Sequence, residues 1–98
     1  KNMSKKVITV EFQGKKLQVD KMKYRNNRVA LELTYKGESW VMATTNLPDE
    51  VLCIDEVILK NYSENQGVLD ALVIAGVVSA VVRYAQDNRM FPICKLLI

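Results

Sequence analysis

The sequence predicts an α+β fold: a twisted antiparallel β-sheet of about six to seven strands, with one α-helix at about 64–75 packed on it. Three observations carry this. Apolar and polar residues alternate with period two through much of residues 7–45, in runs separated by glycine and asparagine turns. A single stretch, YSENQGVLDALVIAG at 62–76, combines helical spacing with a start and a stop signal. The C-terminal runs, VVSAVVRYA and MFPICKLLI, return to β-branched and apolar residues. The 98 residues amount to one domain's length of chain. Within it the sequence predicts a basic hairpin over 1–25, strands over 28–60, the helix over 63–76 and strands over 77–98.

In KKVITVEF, Ile8, Val10 and Phe12 alternate with Val7, Thr9 and Glu11, which marks a strand. QGKK turns the chain, and KLQVDKM places Leu17 and Val19 on one face. The asparagines of YRNNR tolerate the left-handed backbone of a tight turn. VALELTY alternates Val29, Leu31, Leu33 and Tyr35 against Ala30, Glu32 and Thr34. After the turn at Gly37, WVMATTNL reads as one strand with Trp40, Met42 and Thr44 on a shared face, Trp40 facing the core. Pro48 ends it, because proline cannot donate to a ladder. A loop over 48–54 then leads to a strand at 56–60.

In the opening of the helical stretch, Ser63 and Gln66 match a capping box, and Glu64 suits the positive end of the helix dipole. Val68, Ala71, Leu72 and Ala75 share one helical face. Gly67 marks a close approach of helix to strand, and Gly76 a left-handed stop. The competing reading is a helix that continues to Tyr84, but valine-rich VVSAVVRYA favours a strand. Asp70, Arg83, Ser79 and the two glycines interrupt the run too often for a membrane span. QDNR is the final turn, and Pro92 places the start of the last strand at an edge or bulge.

Composition narrows the chemistry. The chain has no histidine, which removes His-assisted nucleophiles and the commonest metal ligand. It has no Walker loop, no dinucleotide fingerprint and no Cys-x-x-Cys pair. Cys53 and Cys94 read as free, reduced thiols. The N-terminal stretch lacks the continuous apolar segment of a signal peptide, so the sequence predicts a cytoplasmic protein. No cofactor is expected, and no enzymatic activity. The carboxylates of the two acidic pairs Asp49–Glu50 and Asp55–Glu56 could in principle serve acid–base chemistry or a hard cation, but a solvated acidic loop is the simpler reading.

The net charge of +3 conceals a split. Residues 1–28 hold nine basic and two acidic side chains; residues 29–70 hold two basic and eight acidic. Two candidate surfaces follow. An acidic, protein-binding surface would comprise Asp49, Glu50, Asp55, Glu56, Tyr62 and Glu64. A basic, nucleic-acid-binding surface would comprise Lys5, Lys6, Lys15, Lys16, Lys21, Lys23, Arg25 and Arg28. Phe12 and Tyr24 are its possible stacking rings, with Phe12 expected in the core.

Three segments, GESWVMATTNLPDE, DEVILKNYSENQGVLDALVIAGVV and FPICKLL, resemble an uncharacterised domain-of-unknown-function family of small phage, plasmid and gut-bacterial proteins. The resemblance covers about residues 35–98. It rests on Thr45-Asn46-Leu47-Pro48, on the run from Lys60 to Gly67, and on Pro92-Ile93-Cys94-Lys95-Leu96. The family pattern has an acidic residue where Asn61 stands, a glutamate where Gln66 stands, and a glycine-arginine turn after the helix that is missing here. The resemblance implies a mobile-element setting and no assigned reaction. Small proteins of such genomes often act by binding a host protein, so the expectation by that association is a binder of a host protein, such as a CRISPR effector nuclease in the manner of an anti-CRISPR protein.

Overall fold

In a computed structural model, residues 7–86 and 91–98 are described, with the side chain of Glu64 left out. The class is α+β, with antiparallel strands and one α-helix. Among the described residues the strands number eight and form two sheets, where the sequence predicts six or seven in one. The first sheet is a meander of β1 (Thr9–Phe12), β2 (Lys15–Lys23), β3 (Val29–Tyr35) and β4 (Glu38–Met42). The second contains β5 (Thr44–Thr45), β6 (Glu56–Leu59), β7 (Val78–Tyr84) and β8 (Pro92–Leu96), in the order β5-β6-β8-β7.

The extra strand comes from WVMATTNL, which changes sheet at Ala43. The Ala43 N–H donates to Leu31 O at 2.8 Å in the first sheet, and its carbonyl accepts from Lys60 N–H at 2.9 Å beside the second. Its methyl is fully buried. Strands that pass between packed sheets do so at bends of this kind. The alternation across Ala43 is unbroken in the sequence, so a single strand is the natural reading of it.

The α-helix is also shorter than predicted. Ser63–Asn65 form a 3-10 turn, and the α-helix α1 spans Val68–Ile74. Gly67, at φ 92°, separates them. A Cβ there would meet Phe12 at an ordinary 3.9 Å, so the position requires left-handed backbone rather than close packing. Ser63 makes no side-chain cap; it has a φ of 57°. Asn61 does the capping instead, its Oδ1 accepting from Leu69 N–H at 3.0 Å. The stop at Gly76 forms as expected, with φ 76°. Gly76 N–H donates to Val73 O and Val77 N–H to Leu72 O, the double bond pattern of a left-handed helix end. Residues 78–84 are strand, not continued helix.

One core draws on both sheets and the helix. Val10, Phe12, Leu17, Val19, Leu31 and Leu33 from the first sheet meet Val57, Leu59, Val78 and Cys94 from the second. Val68 and Leu72 of α1 complete it, and α1 packs against the edge strands β1 and β7. Chain continuity at Ala43 thus joins one pair of sheet edges, and the helix bridges the other. The far face of the second sheet carries a smaller cluster of Ile58, Ala85, Phe91 and Ile93, covered by Leu47 and Leu52. Trp40 is exposed at 41%, not in the core as predicted. Among the described residues no helix is long and apolar enough to cross a membrane.

The helix orientation gives a paired test. Leu72→Ala should lower unfolding free energy by about 2–5 kcal/mol, because Leu72 is enclosed by both sheets. Ile74→Ala, at a side chain 85% exposed, should stay within about 0.5 kcal/mol. Urea denaturation of both variants checks the pair.

Candidate functional site

The segment that covers the second sheet, residues 46–55, has no regular structure but is heavily bonded. Arg28, half-buried immediately before β3, donates Nη1 to Leu47 O at 2.8 Å and Nη2 to Glu50 O. Arg83 on β7 donates Nη2 to Val51 O at 2.8 Å. Glu56, at the start of β6, accepts the Cys53 N–H at 2.8 Å. Glu50 N–H closes a turn onto Leu47 O, the Glu50 carboxylate accepts from Gln86 N–H at 2.7 Å, and Leu96 N–H bonds Asp55 O. Leu47 and Leu52 dip into the apolar cluster beneath. An irregular segment that must cover a sheet needs its backbone polar groups satisfied, and the two arginines supply donors that no ladder can.

The side chains left outside are distinctive. Val51 is 80% exposed and Ile54 98%. Asp49, Cys53 and Asp55 are exposed around them, and Glu50 is half-buried. Leaving a valine and an isoleucine in water forgoes roughly 1.5–3 kcal/mol each. Tyr62, 38% exposed, leans on Phe91 with ring centroids 5.5 Å apart, so it borders the same apolar cluster. Glu64 places its backbone in the adjoining 3-10 turn.

Glu56 does not belong to the presented acidic surface. It is buried, and it holds Arg83 in a two-pronged pair with both N···O distances at 2.8 Å. The Arg83 hydrogen bonds, helped by the Cys53 N–H, bring its carboxyl down from 4.5 to about 2. Arg83 is correspondingly held in its charged form by Glu56.

The predicted basic surface divides. Lys15 and Lys16 stand at one end of β2, and Lys21 and Lys23 toward the other, roughly 17–26 Å away along an extended strand, with Arg25 in the turn beyond it. Lys21 Nζ reaches Ile98 O at 3.1 Å. Arg28 is committed to the 46–55 segment, and Tyr24 to a 2.8 Å hydroxyl bond with Thr44. Phe12 is in the core. Lys5 and Lys6 lie outside the described residues. Both cysteines are free, and burial pushes the Cys94 thiol up to about 11, away from nucleophile chemistry. No group of three or more His, Cys, Asp or Glu among the described residues could hold a metal ion.

The sequence does not signal the roles of Arg28 and Arg83, because their partners lie 19 to 32 residues away on other elements. Compared with protein-family models, curated proteins and solved structures, the chain shows no significant match to any of them.

The Glu56 shift sets a pH dependence. A carboxyl that binds its proton more weakly when folded stabilises the fold fully above its unfolded value near 4.5. That stabilisation fades as pH falls through the window down to about 2. Thermal melts from pH 6 to about pH 2 should therefore show a steeper fall for the wild type than for Glu56→Gln, which should also be the less stable protein at neutral pH.

Proposed function

We propose that this chain is a non-catalytic binding protein that acts by protein–protein contact through residues 46–55. The observation that carries this reading is the exposure of Ile54 (98%) and Val51 (80%) on a segment whose carbonyls are held by Arg28 and Arg83. Pre-organised apolar side chains lose little freedom on docking, so more of their burial energy appears as affinity. Asp49 and Asp55 flank them, and Tyr62 borders the cluster beneath. The complementary partner is a protein with an apolar depression ringed by Lys and Arg. The nucleic-acid groove of a host nuclease supplies the Lys and Arg of such a ring. The mobile-element setting implied by the family resemblance makes a CRISPR effector one candidate of this kind.

Affinity capture from host lysate with three baits tests the proposal: wild type, Val51→Ser/Ile54→Ser, and Ile74→Ser as a control on another face. A protein held by wild type and control, with affinity reduced about 30-fold or more in the double variant, is the expected result. Equal retention by all three baits, or none by any of them, overturns the assignment.

A further inference from the structure

We infer that the corner formed by the β1–β2 and β3–β4 hairpin tips is a stacking site for the bases of single-stranded nucleic acid, separate from the 46–55 segment. Each tip is a two-residue turn with positive φ at both positions: Gln13 at 56° and Gly14 at 75°, Lys36 at 53° and Gly37 at 84°. Such turns are tight and match strand twist, so residues beside them are held firmly. In β4 the register slips, with Leu33 opposite Val41 but Thr34 opposite Ser39. Trp40 is the extra residue. A bulge of this type re-aims the side chain it carries.

The indole is then fixed from two sides. Its Nε1–H donates to Gln13 Oε1 at 3.1 Å, tying one tip to the other. Its ring meets Tyr35 edge-on, with centroids 5.7 Å apart and planes at 66°. Lys15 Nζ lies 5.3 Å from both ring centroids, and Lys36 Nζ lies 5.3 Å from that of Tyr35. With 41% of Trp40 still exposed, the corner offers a tethered indole that carries the Lys15 ammonium over its ring, with the Lys36 ammonium over the adjoining Tyr35 ring. The core draws on β4 through Val41, so core packing does not account for a tryptophan at the neighbouring position.

An aromatic face and nearby ammonium groups match a nucleotide's two parts: the base stacks and the flanking phosphates meet the lysines. An unpaired strand fits better than a duplex, whose base faces are already stacked. Glu38, opposite Tyr35 in the ladder, adds a negative charge to the same corner. Affinity should therefore come mainly from stacking, with a shallow salt dependence of about 0.7 to 1.4 in log–log slope.

Trp40 is the sole tryptophan, so its emission reports on the corner directly. The intact protein is titrated with oligothymidylate and, separately, with inorganic polyphosphate at low salt. Saturable quenching by the oligonucleotide but not by polyphosphate is expected. Fluorescence anisotropy of a labelled oligothymidylate should show affinity reduced roughly tenfold or more by Trp40→Ala. Lys15→Ala/Lys36→Ala should weaken binding and flatten the salt slope. Far-UV circular dichroism and melting curves establish that each variant is folded. An absence of saturable quenching, equal quenching by polyphosphate, or unchanged affinity in a folded Trp40→Ala variant overturns the inference.

Discussion

The architecture depends on a change of sheet at a single small residue. Ala43 bonds through its N–H to Leu31 and through its carbonyl to Lys60, so one peptide segment serves two sheets. With its side chain fully buried, a larger group there would have to displace the closing sheets. At the opposite edges, a helix of only seven residues, Val68–Ile74, packs on β1 and β7 and adds Val68 and Leu72 to the shared core. So short a helix has little stability of its own and relies on this packing.

The same geometry creates the candidate site. Turning the second sheet's inner face toward the first leaves Ile58, Ile93 and Ala85 on the outside, with no further sheet or helix among the described residues to cover them. Residues 46–55 take that role. Because they form no ladder, Arg28 at the entry to one sheet and Arg83 from the other bond their carbonyls. Removing either partner of the Glu56–Arg83 pair would leave a poorly compensated charge, which is why such pairs are expensive to break. A covering segment held this firmly also fixes what points outward, and here that is Val51 and Ile54 between carboxylates. Fold stabilisation and surface presentation thus arise from the same bonds.

Much of this was legible in the sequence where the physics is local. Period-two runs located β1 to β3 with their buried faces at Val10, Phe12, Leu17, Val19, Leu31 and Leu33. Gly76 marked the helix end, and valine content separated β7 from a continued helix. The failures share a cause in long-range geometry. The sheet change at Ala43 leaves the alternation intact, and the bulge at Trp40 shifts register by one residue without any glycine or proline to announce it. Ser63 had the chemistry of a cap, yet Gly67's left-handed backbone moved the helix start and gave the role to Asn61. Acidic residues at 49–56 were recognisable as a group, but only the fold separates buried Glu56 from exposed Asp49 and Asp55.

The arginine bonds make residues 49–55 a held surface rather than a loose loop. Backbone ¹⁵N relaxation measures this most directly. Order parameters near those of the flanking strands, about 0.85, are what the arginine bonds predict. Values below about 0.6 across Asp49–Asp55 would contradict it, since a segment that mobile could not present Val51 and Ile54 in one arrangement.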